Sequence, residues 1–281
     1  MSGAEPGING PGLWAARFPW PRPDMHKHSR GRLGVVSGPQ PSSGAARLAA
    51  RGALRIGAGA VRLFCPPEAL PLHAPHLEAA MVLAFDGPGA LAELAGVMDA
   101  VVIGPAAGLD EATAANLRAL HGTKAALVVD ADALTLFRGR APELFLNLKA
   151  GDVLTPHEGE FERLFSGLLE QGREAAARRA AEAAGCVVML KGNETLVAAP
   201  DGRLVRNPNG TPWLATAGSG DVLAGIVGGL LAQGIEAFDA ACAGAWIHAE
   251  AAAAFGPGLI AEDLPDLVPQ VLGGLWRAAQ S

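Results

Sequence analysis

Residues 207–225 of this chain, NPNGTPWLATAGSGDVLAG, join a polar, Gly-rich loop directly to an apolar helix. We predict that the helix begins at Val222, immediately after Gly218-Ser219-Gly220-Asp221. Small residues before a helix let backbone N–H groups crowd around an anion, and the helix dipole adds positive potential there. A carboxylate at that position indicates a group that meets a proton or a hydroxyl. An anion cradle beside one carboxylate is the layout of a phosphoryl-transfer site.

The same four residues have a second interpretation. They could form an ordinary helix cap, in which Asp221 only compensates the helix dipole. The long lead-in of Gly, Asn and Pro residues favours the functional interpretation. We therefore treat residues 218–221 as the first candidate site.

Composition narrows the class of protein. The 281 residues fit one large α/β domain or two small ones, and 50% of them are hydrophobic. A formal net charge of -6 argues against a nucleic-acid partner. Cys65, Cys186 and Cys242 stand in separate apolar segments and are predicted to be buried, reduced thiols. Because no secretory signal or long apolar run is visible, we expect a cytoplasmic protein without a membrane partner.

Apolar segments alternate with helical ones after a Pro-, Gly- and Arg-rich start. Residues 1–25 are predicted to form an extended arm, and residues 26–281 one domain. We expect the arm before His26 to bury little and to be dispensable for folding. Strands are predicted at residues 33–37, 60–65, 80–85, 99–105, 125–130, 152–156 and 186–191, helices at 44–56 and 111–121, and a hairpin at 194–203. Apolar strands separated by helices indicate an α/β fold with a mostly parallel sheet covered on both faces.

Polar residues at the ends of these strands are the candidates for function, because ligands of such sheets bind beyond the carboxyl ends of the strands. Lys191 could meet a phosphate as a point charge, or it could be a solvated residue of a hairpin turn. Asp130 and Asp132 could assist a metal or cap the next helix, and we favour a capping or loop-structure role over direct catalysis. The full set is Asp130, Asp132, Thr155, His157, Glu160, Lys191 and Asp221.

Residues 155–160, TPHEGE, follow a strand and open a helix. His157 and Glu160 are three residues apart and therefore lie near one face of the first turn. A carboxylate there could hold Mg²⁺ through water, since Mg²⁺ keeps several waters and needs few protein ligands. Glu158 is assigned to the helix dipole instead.

Two further segments have a structural and a functional interpretation. Residues 104–108, GPAAG, are either a plain strand-to-helix turn or bare backbone that lies against a flat ligand. His248 stands in an apolar helix and is predicted to be a core histidine rather than a ligand. A P-loop motif and a dinucleotide-binding Gly motif are both missing from the sequence, which argues against a Walker-type NTPase and a Rossmann dehydrogenase.

Taken in this order, the segments resemble the nucleotide-dependent NAD(P)H-hydrate (NAD(P)HX) dehydratases, a family of ribokinase-like, three-layer α/β/α fold. Thr155-Pro156-His157-Glu158-Gly159-Glu160 is the most specific of the motifs, whereas Gly218-Ser219-Gly220-Asp221 indicates only the superfamily. The other motifs are His26-Lys27, Arg30-Gly31-Arg32-Leu33, Gly44-Ala45-Ala46, Ile103-Gly104-Pro105, Val129-Asp130-Ala131-Asp132-Ala133-Leu134 and Leu190-Lys191-Gly192-Asn193-Glu194-Thr195.

The resemblance implies a lyase that dehydrates (S)-NAD(P)H-hydrate back to NAD(P)H, driven by hydrolysis of ADP or ATP with Mg²⁺, and it implies a homo-oligomer. In that family's pattern the catalytic residue is Asp221, and Glu160 is a candidate for a water-mediated Mg²⁺ contact. The implied contacts of the hydrated nicotinamide nucleotide are Ala45, Gly108, His157 and Asp221. The implied contacts of the adenine nucleotide are Lys191, Gly192, Asn193, Glu194, Thr195, Gly218, Ser219 and Gly220.

Two segments depart from the family's usual pattern. The family usually has Gly-Pro-Gly-Leu-Gly at residues 104–108, and it usually has Gly where this chain has Ala217. A positive φ at Ala217 would cost about 1 kcal/mol. The alternatives are a kinase of the same fold for a thiazole or pyrimidine alcohol, or a nucleotide-binding regulator without turnover. The presence of Asp221 and Lys191 argues against the regulator.

Overall fold

The computed structural model describes residues 5–39 and 43–280. Within them, ten strands form one sheet in the order β1-β10-β9-β8-β7-β6-β5-β2-β3-β4. The strands are β1 (Gly7–Ile8), β2 (Arg32–Val36), β3 (Ala60–Cys65), β4 (Met81–Ala84), β5 (Ala100–Ile103), β6 (Ala126–Val129), β7 (Val153–Leu154), β8 (Val187–Leu190), β9 (Thr195–Ala198) and β10 (Leu204–Asn207). Only β9 runs antiparallel to its neighbours, so the predicted mostly parallel sheet and the hairpin are confirmed.

Helices cover both faces of the sheet. They are α1 (Pro11–Trp14), α2 (Gly44–Arg55), α3 (Leu70–His73), α4 (Gly87–Ala95), α5 (Glu111–His121), α6 (Asp132–Thr135), α7 (Ala141–Phe145), α8 (Glu158–Leu164), α9 (Arg173–Ala184), α10 (Ser219–Ala232), α11 (Ala237–Phe255) and α12 (Leu264–Gln280). Successive strand residues point to opposite faces. Val102 therefore packs with α2 and α10–α12, whereas Val101 and Ile103 pack with α4, α5, α8 and α9. This is the expected three-layer α/β/α arrangement.

The strand order reverses between β2 and β5, which opens a crevice at their carboxyl ends. The chain leaves β5 through the turn at residues 104–108, and Gly38, just after β2, donates its N–H to the carbonyl of Ala106 at 3.0 Å. Helix α10 packs closely on α2, because a Cβ at Gly225 would lie only 2.0 Å from the carbonyl oxygen of Ala49. These contacts fix the first turn of α10 against the crevice.

The N-terminal segment packs against the rest of the protein, so the expectation that the arm before residue 26 buries little is wrong. Strand β1 pairs with β10 and extends the sheet. Trp14 is only 2% exposed and its ring lies 5.8 Å from that of Trp246. Asn9 donates to the side chain of Asn207 at 2.8 Å and to the carbonyl of Cys242 at 2.7 Å. A Pro-rich composition did not reveal these contacts, because their partners lie about 200 residues away in sequence.

Cys65, Cys186 and Cys242 are free and buried, so the prediction of buried thiols is confirmed. Burial raises the pKa of the Cys65 thiol to about 11, which keeps it protonated at neutral pH. Within residues 5–39 and 43–280, none of the helices has both the length and the apolar character needed to cross a membrane.

Candidate active site

The Gly218–Asp221 segment lies at the start of α10, and the structure corrects the predicted boundary. The helix begins at Ser219 rather than at Val222, so Asp221 lies in its first turn. Gly218 has a φ of 91°, a conformation that favours glycine, and no side chain caps this end of the helix. Ser219 donates its hydroxyl to the carbonyl of Leu214 at 2.7 Å, which ties the loop to the helix. A helix start without a capping side chain is suited to holding an anion.

Lys191 brings positive charge to this anion cradle. Its amine lies 3.3 Å from the position that a Cβ on Gly220 would occupy. The amine also donates to the carboxylate of Asp130 at 2.8 Å, and the Asp130 side chain is only 2% exposed. Burial opposes the charge on Lys191, but the carboxylates of Asp130, Glu160 and Asp221 outweigh it and raise the pKa of the amine. Lys191 is therefore a charged residue of the site rather than a solvated residue of a turn.

Asp130 and Asp132 have different roles in the structure. Neither caps α6, but Asp132 has the alternative loop role that was predicted. Asp130 pairs with Lys191, as above. Asp132 accepts the N–H of Gly108 at 3.0 Å and so fixes the turn after β5. No side-chain cap is present at the start of α6.

Asp221 is surrounded by negative charge. Burial, followed by the nearby carboxylate of Asp130, raises the pKa of Asp221 to about 7, and the amine of Lys191 acts in the opposite direction. A carboxyl group that titrates near neutral pH can both accept and release a proton under working conditions. This is the property that a general base requires.

His157 and Glu160 form a reciprocal cap at the start of α8. The ring nitrogen Nδ1 of His157 accepts the N–H of Gly159 at 2.9 Å and that of Glu160 at 3.3 Å. Glu160 accepts the backbone N–H of His157 at 2.9 Å and is only 6% exposed. The two residues therefore lie on a common face, as predicted. Glu160 also has a structural role in the helix cap, which was not predicted. Burial raises the pKa of Glu160, and the charge on Lys191 opposes that shift.

Two alanines next to the site adopt backbone conformations that favour glycine. Among the described residues, the positive φ values outside glycine belong to Ala106 (55°) and Ala131 (48°). The energetic cost of a positive φ, which we considered for Ala217, therefore applies to Ala106 instead, where the family usually has Gly. Such strain persists only where the surrounding structure holds it. At Ala106 the bond from Gly38 to its carbonyl does so.

A cavity of about 280 Å³ opens from Lys191 along the start of α10. Six of the eight residues expected to hold the adenine nucleotide line it: Lys191, Gly192, Asn193, Thr195, Ser219 and Gly220. Glu194 does not, because its carboxylate pairs with Arg206 at 2.9 Å on the surface. Gly218 lies beside the cavity and contacts Leu48 of α2. Leu48 is one turn after Ala45, so Ala45 lies near the same junction of α2 and α10.

The cavity has further lining residues that the sequence motifs did not predict. They are Asn207, Gly210, Thr211, Pro212, Leu214, Ala215, Leu223, Ala245, His248 and Ala249. The Gly-, Asn- and Pro-rich composition of residues 207–215 is evident in the sequence, but we interpreted it only as the loop that precedes the helix. His248 gave no such signal, because a histidine in an apolar helix is usually a core residue.

The site offers few protein ligands for a metal ion. Within the described part of the chain, no three His, Cys, Asp or Glu residues are grouped so that they could hold one. Asp130 is already paired with Lys191, and one oxygen of Glu160 is taken by His157. This arrangement fits Mg²⁺ only as an ion carried mainly by phosphate and water, which is the usual mode for nucleotide-bound Mg²⁺.

Comparisons with known proteins agree on one family. The family model described as NAD(P)H-hydrate dehydratase matches residues 33–268. The chain is 39% identical over 283 residues to a bifunctional NAD(P)H-hydrate repair enzyme of Methanopyrus kandleri, across 96% of this chain and 55% of that protein. It thus spans about half the length of the curated relatives that it matches first. It is 38% identical to an ADP-dependent (S)-NAD(P)H-hydrate dehydratase of Neisseria meningitidis, across 86% of this chain and 84% of that one.

A solved structure supports the same relationship. The fold is similar to that of an ADP/ATP-dependent NAD(P)H-hydrate dehydratase from Bacillus subtilis that was co-crystallised with ATP and Mg²⁺. The TM-score is 0.83 at 27% identity, and the match covers 96% of this chain and 98% of that one. The fold is also similar to that of a ribokinase-like superfamily protein from Enterococcus faecalis, with a TM-score of 0.81 at 28% identity over 91% of each chain, which confirms the predicted ribokinase-like fold.

Proposed function

This chain belongs to the NAD(P)H-hydrate dehydratase family, and we propose on that basis that it restores NAD(P)H from its (S)-hydrate, driven by hydrolysis of ADP or ATP. The observation that carries the proposal is the position of Asp221. Its carboxyl group, with a pKa of about 7, stands in the first turn of a helix whose start is shared with Lys191. A base and an anion cradle are thus side by side. We propose a cytoplasmic location for this repair reaction.

The proposed chemistry begins with proton transfer. Asp221 takes the proton of the ring hydroxyl while the hydroxyl oxygen attacks the terminal phosphorus of the nucleotide, which releases AMP or ADP. The N–H groups at the start of α10 and the amine of Lys191 stabilise the developing negative charge. The ring nitrogen then expels phosphate, the neighbouring ring carbon loses a proton, and NAD(P)H is formed. Bound Mg²⁺ would neutralise phosphate charge, with Glu160 as its water-mediated contact.

The residues of the crevice would place the hydrated ring. His157 stands at the start of α8 with its side chain 54% exposed, so it can contact a substrate without losing its cap. Gly108 is held by Asp132, and Ala45 lies in the first turn of α2. We propose that Ala45, Gly108 and His157 bind the nicotinamide nucleotide on the side of Asp221 opposite the adenine nucleotide. This assignment depends on the crevice between β2 and β5, where such ligands bind.

One assay tests the proposed function. Purified protein is mixed with (S)-NADH-hydrate, MgCl₂ and either ADP or ATP, and the absorbance of reduced nicotinamide is followed beside phosphate release. We expect both signals to rise in equal amounts and neither to rise without nucleotide. Nucleotide consumption without an absorbance gain would instead indicate a kinase that stops at the phosphorylated product. Folded protein that gives neither signal would exclude the dehydratase.

The pH dependence of the reaction should follow Asp221. Because the carboxylate is the active form and its pKa is raised to about 7, kcat/KM should fall about tenfold per pH unit below that pKa and level off above it. The measurement is kcat/KM for the hydrate between pH 5.5 and pH 9 at saturating nucleotide. A profile that stays flat down to pH 5.5 would show that the base has an ordinary carboxyl pKa or is a different group.

Replacement of Glu160 tests its proposed Mg²⁺ contact. We expect Glu160→Gln to raise the Mg²⁺ concentration for half-maximal rate by about tenfold, the usual size for a residue that contacts a metal through other groups. Glu158→Gln is the matched control, because Glu158 lies in the same turn and pairs with Arg173 at 3.0 Å on the surface. If the Mg²⁺ titration of Glu160→Gln matches the control, Glu160 serves the helix cap alone.

A further inference from the structure

A line of side-chain hydrogen bonds runs from the N-terminal segment to the cavity at the start of α10. Trp14 donates its ring N–H to the side-chain oxygen of Asn9 at 3.3 Å, and Asn9 donates to the side-chain oxygen of Asn207 at 2.8 Å. Asn207 donates in turn to Asn209 at 2.6 Å, and Asn209 donates to a carboxylate oxygen of Glu250 at 2.9 Å. We call these five side chains the amide relay. All of its bonds have the same direction, and the relay ends on a carboxylate, which only accepts.

The N-terminal end of the relay sets the orientation of the amides that follow it. A side-chain amide has one oxygen that accepts and one NH₂ group that donates. Because Asn9 donates to the oxygen of Asn207, the NH₂ group of Asn207 is directed to Asn209. Water has little access to these groups, since Asn9 is 3% exposed and Asn207 is 2% exposed. Asn9 is itself fixed by a second bond, to the backbone carbonyl of Cys242 at 2.7 Å.

The far end of the relay anchors a loop that forms one wall of the cavity. Residues 208–215 follow β10, and five of these eight residues line the cavity, as does Asn207 at the end of the strand. Every residue of the loop is exposed or half-buried, so apolar burial does little to fix its position. The hydroxyl of Ser219 holds the end of the loop. Its start is held by Asn209, which donates to Glu250 and to the carbonyl of Trp246 at 3.1 Å, both in α11.

We propose that Asn9 is a positioning residue for the nucleotide: through Asn207 and Asn209, it holds the loop at residues 208–215 where the loop lines the cavity. This inference rests on the proposed use of an adenine nucleotide in that cavity. Without the bond from Asn9, the amide of Asn207 is free to turn, and its oxygen would then face the oxygen of Asn209 without a proton between them. Hydrogen bonds in a buried network support one another, so a loss at Asn9 is passed on to the loop.

The test measures nucleotide binding by two variants of the full chain. Asn9→Ala removes the donor, whereas Asn9→Asp keeps the size of the side chain and places an oxygen where the donor was. Calorimetric titration with ADP and MgCl₂, well below the melting temperature of each variant, should give a Kd about tenfold above that of the wild type for both. Turnover of the hydrate at saturating ADP should stay within about twofold of the wild-type kcat, because the relay contacts neither Asp221 nor Lys191.

Leu120→Ala is the control for a loss of stability alone. Leu120 is fully buried in α5, in the core on the other face of the sheet from Trp14. This variant should melt at a lower temperature and bind ADP with wild-type affinity. If both Asn9 variants also melt lower but keep the wild-type Kd for ADP, Asn9 serves the fold only and the inference is overturned.

A double variant tests whether the effect of Asn9 passes along the relay. Asn209→Ala removes the bonds between the loop and α11. If Asn9 acts through Asn209, the double variant Asn9→Ala/Asn209→Ala should bind ADP about as weakly as Asn209→Ala alone. A Kd raised by the product of the two single effects would show that Asn9 acts by another route, which would overturn the inference.

The titrations use ADP without the hydrate, so the inference is separable from the proposed function. Wild-type protein that binds ADP through this relay but forms no NADH would overturn the dehydratase and leave the role of Asn9 standing. NADH formation by Asn9 variants that keep the wild-type affinity for ADP would do the opposite.

Discussion

Asp221→Asn should lower turnover by about 10²–10⁴-fold, the usual contribution of a general base. Asn has the same size and can still accept a hydrogen bond, so the start of α10 should keep its geometry. It cannot take a proton at neutral pH. Nucleotide affinity should stay equal or improve slightly, because the change removes one of the carboxylates that surround Lys191. Turnover and calorimetric titration of the nucleotide, measured on one preparation, give both quantities.

The control for this variant is Asp201→Asn, which makes the same chemical change at an exposed turn where Asp201 pairs with Arg203. Its turnover should match that of the wild type.

The melting temperature of Asp221→Asn provides a second check. Because the pKa of Asp221 is raised in the folded state, ionisation above about pH 7 costs stability, and Asp221→Asn should melt no lower than the wild type at pH 8. Near-normal turnover of Asp221→Asn would show that Asp221 is only a helix cap. Loss of both nucleotide affinity and turnover would show that it is a structural residue.

Deletion of residues 1–20 should lower the melting temperature on the order of 10 °C. The deletion exposes the surface that Trp14 covers and removes the pairing of β1 with β10. It also leaves the nearly buried carboxylate of Asp239 without Arg17, its ion-pair partner. Loss of a buried Trp side chain alone typically costs about 3–5 kcal/mol. Thermal melting of the full chain and the truncated chain measures the effect.

Two neighbouring residues of α1 serve as a matched pair for this prediction. Trp14→Ala should reproduce much of the loss, because Trp14 is 2% exposed, whereas Leu13→Ala should change little, because Leu13 is 42% exposed. A truncated chain that melts within about 2 °C of the full chain would show that these contacts add nothing to stability. That result would restore the expectation from the sequence that the arm is dispensable for folding.

Local patterns were sufficient to predict the layers of the fold and the edge of the sheet that carries the site. A continuous apolar strand is buried on both faces whichever strands lie beside it. Each strand could therefore be located from its own sequence. The bounds of α5 were predicted correctly, and Asp110 caps it by accepting the N–H of Thr113. Lys191, Asp130 and the turn at residues 104–108 lie near one another because parallel strands end at one edge.

The motifs set the family, and with it the proposed reaction. They did not reveal how the side chains pair. The sequence left two interpretations of Lys191 open, a phosphate contact and a solvated turn residue. The structure decides between them, because the carboxylate of Asp130, 61 residues away, lies 2.8 Å from the Lys191 amine. Glu160 was predicted from the sequence only as a candidate for a metal contact, and the structure shows that it also caps α8.

The tertiary structure alone decided the rest. The packing of the N-terminal segment and the pKa of Asp221 near 7 both depend on groups far away in sequence. Burial and Coulomb interactions depend on distance in space, so a pattern of neighbouring residues does not contain them. The sequence by itself determined which residues form strands and helices and at which edge of the sheet the polar ones gather. Folding decided which of those residues are charged, which are paired, and which are left free to bind.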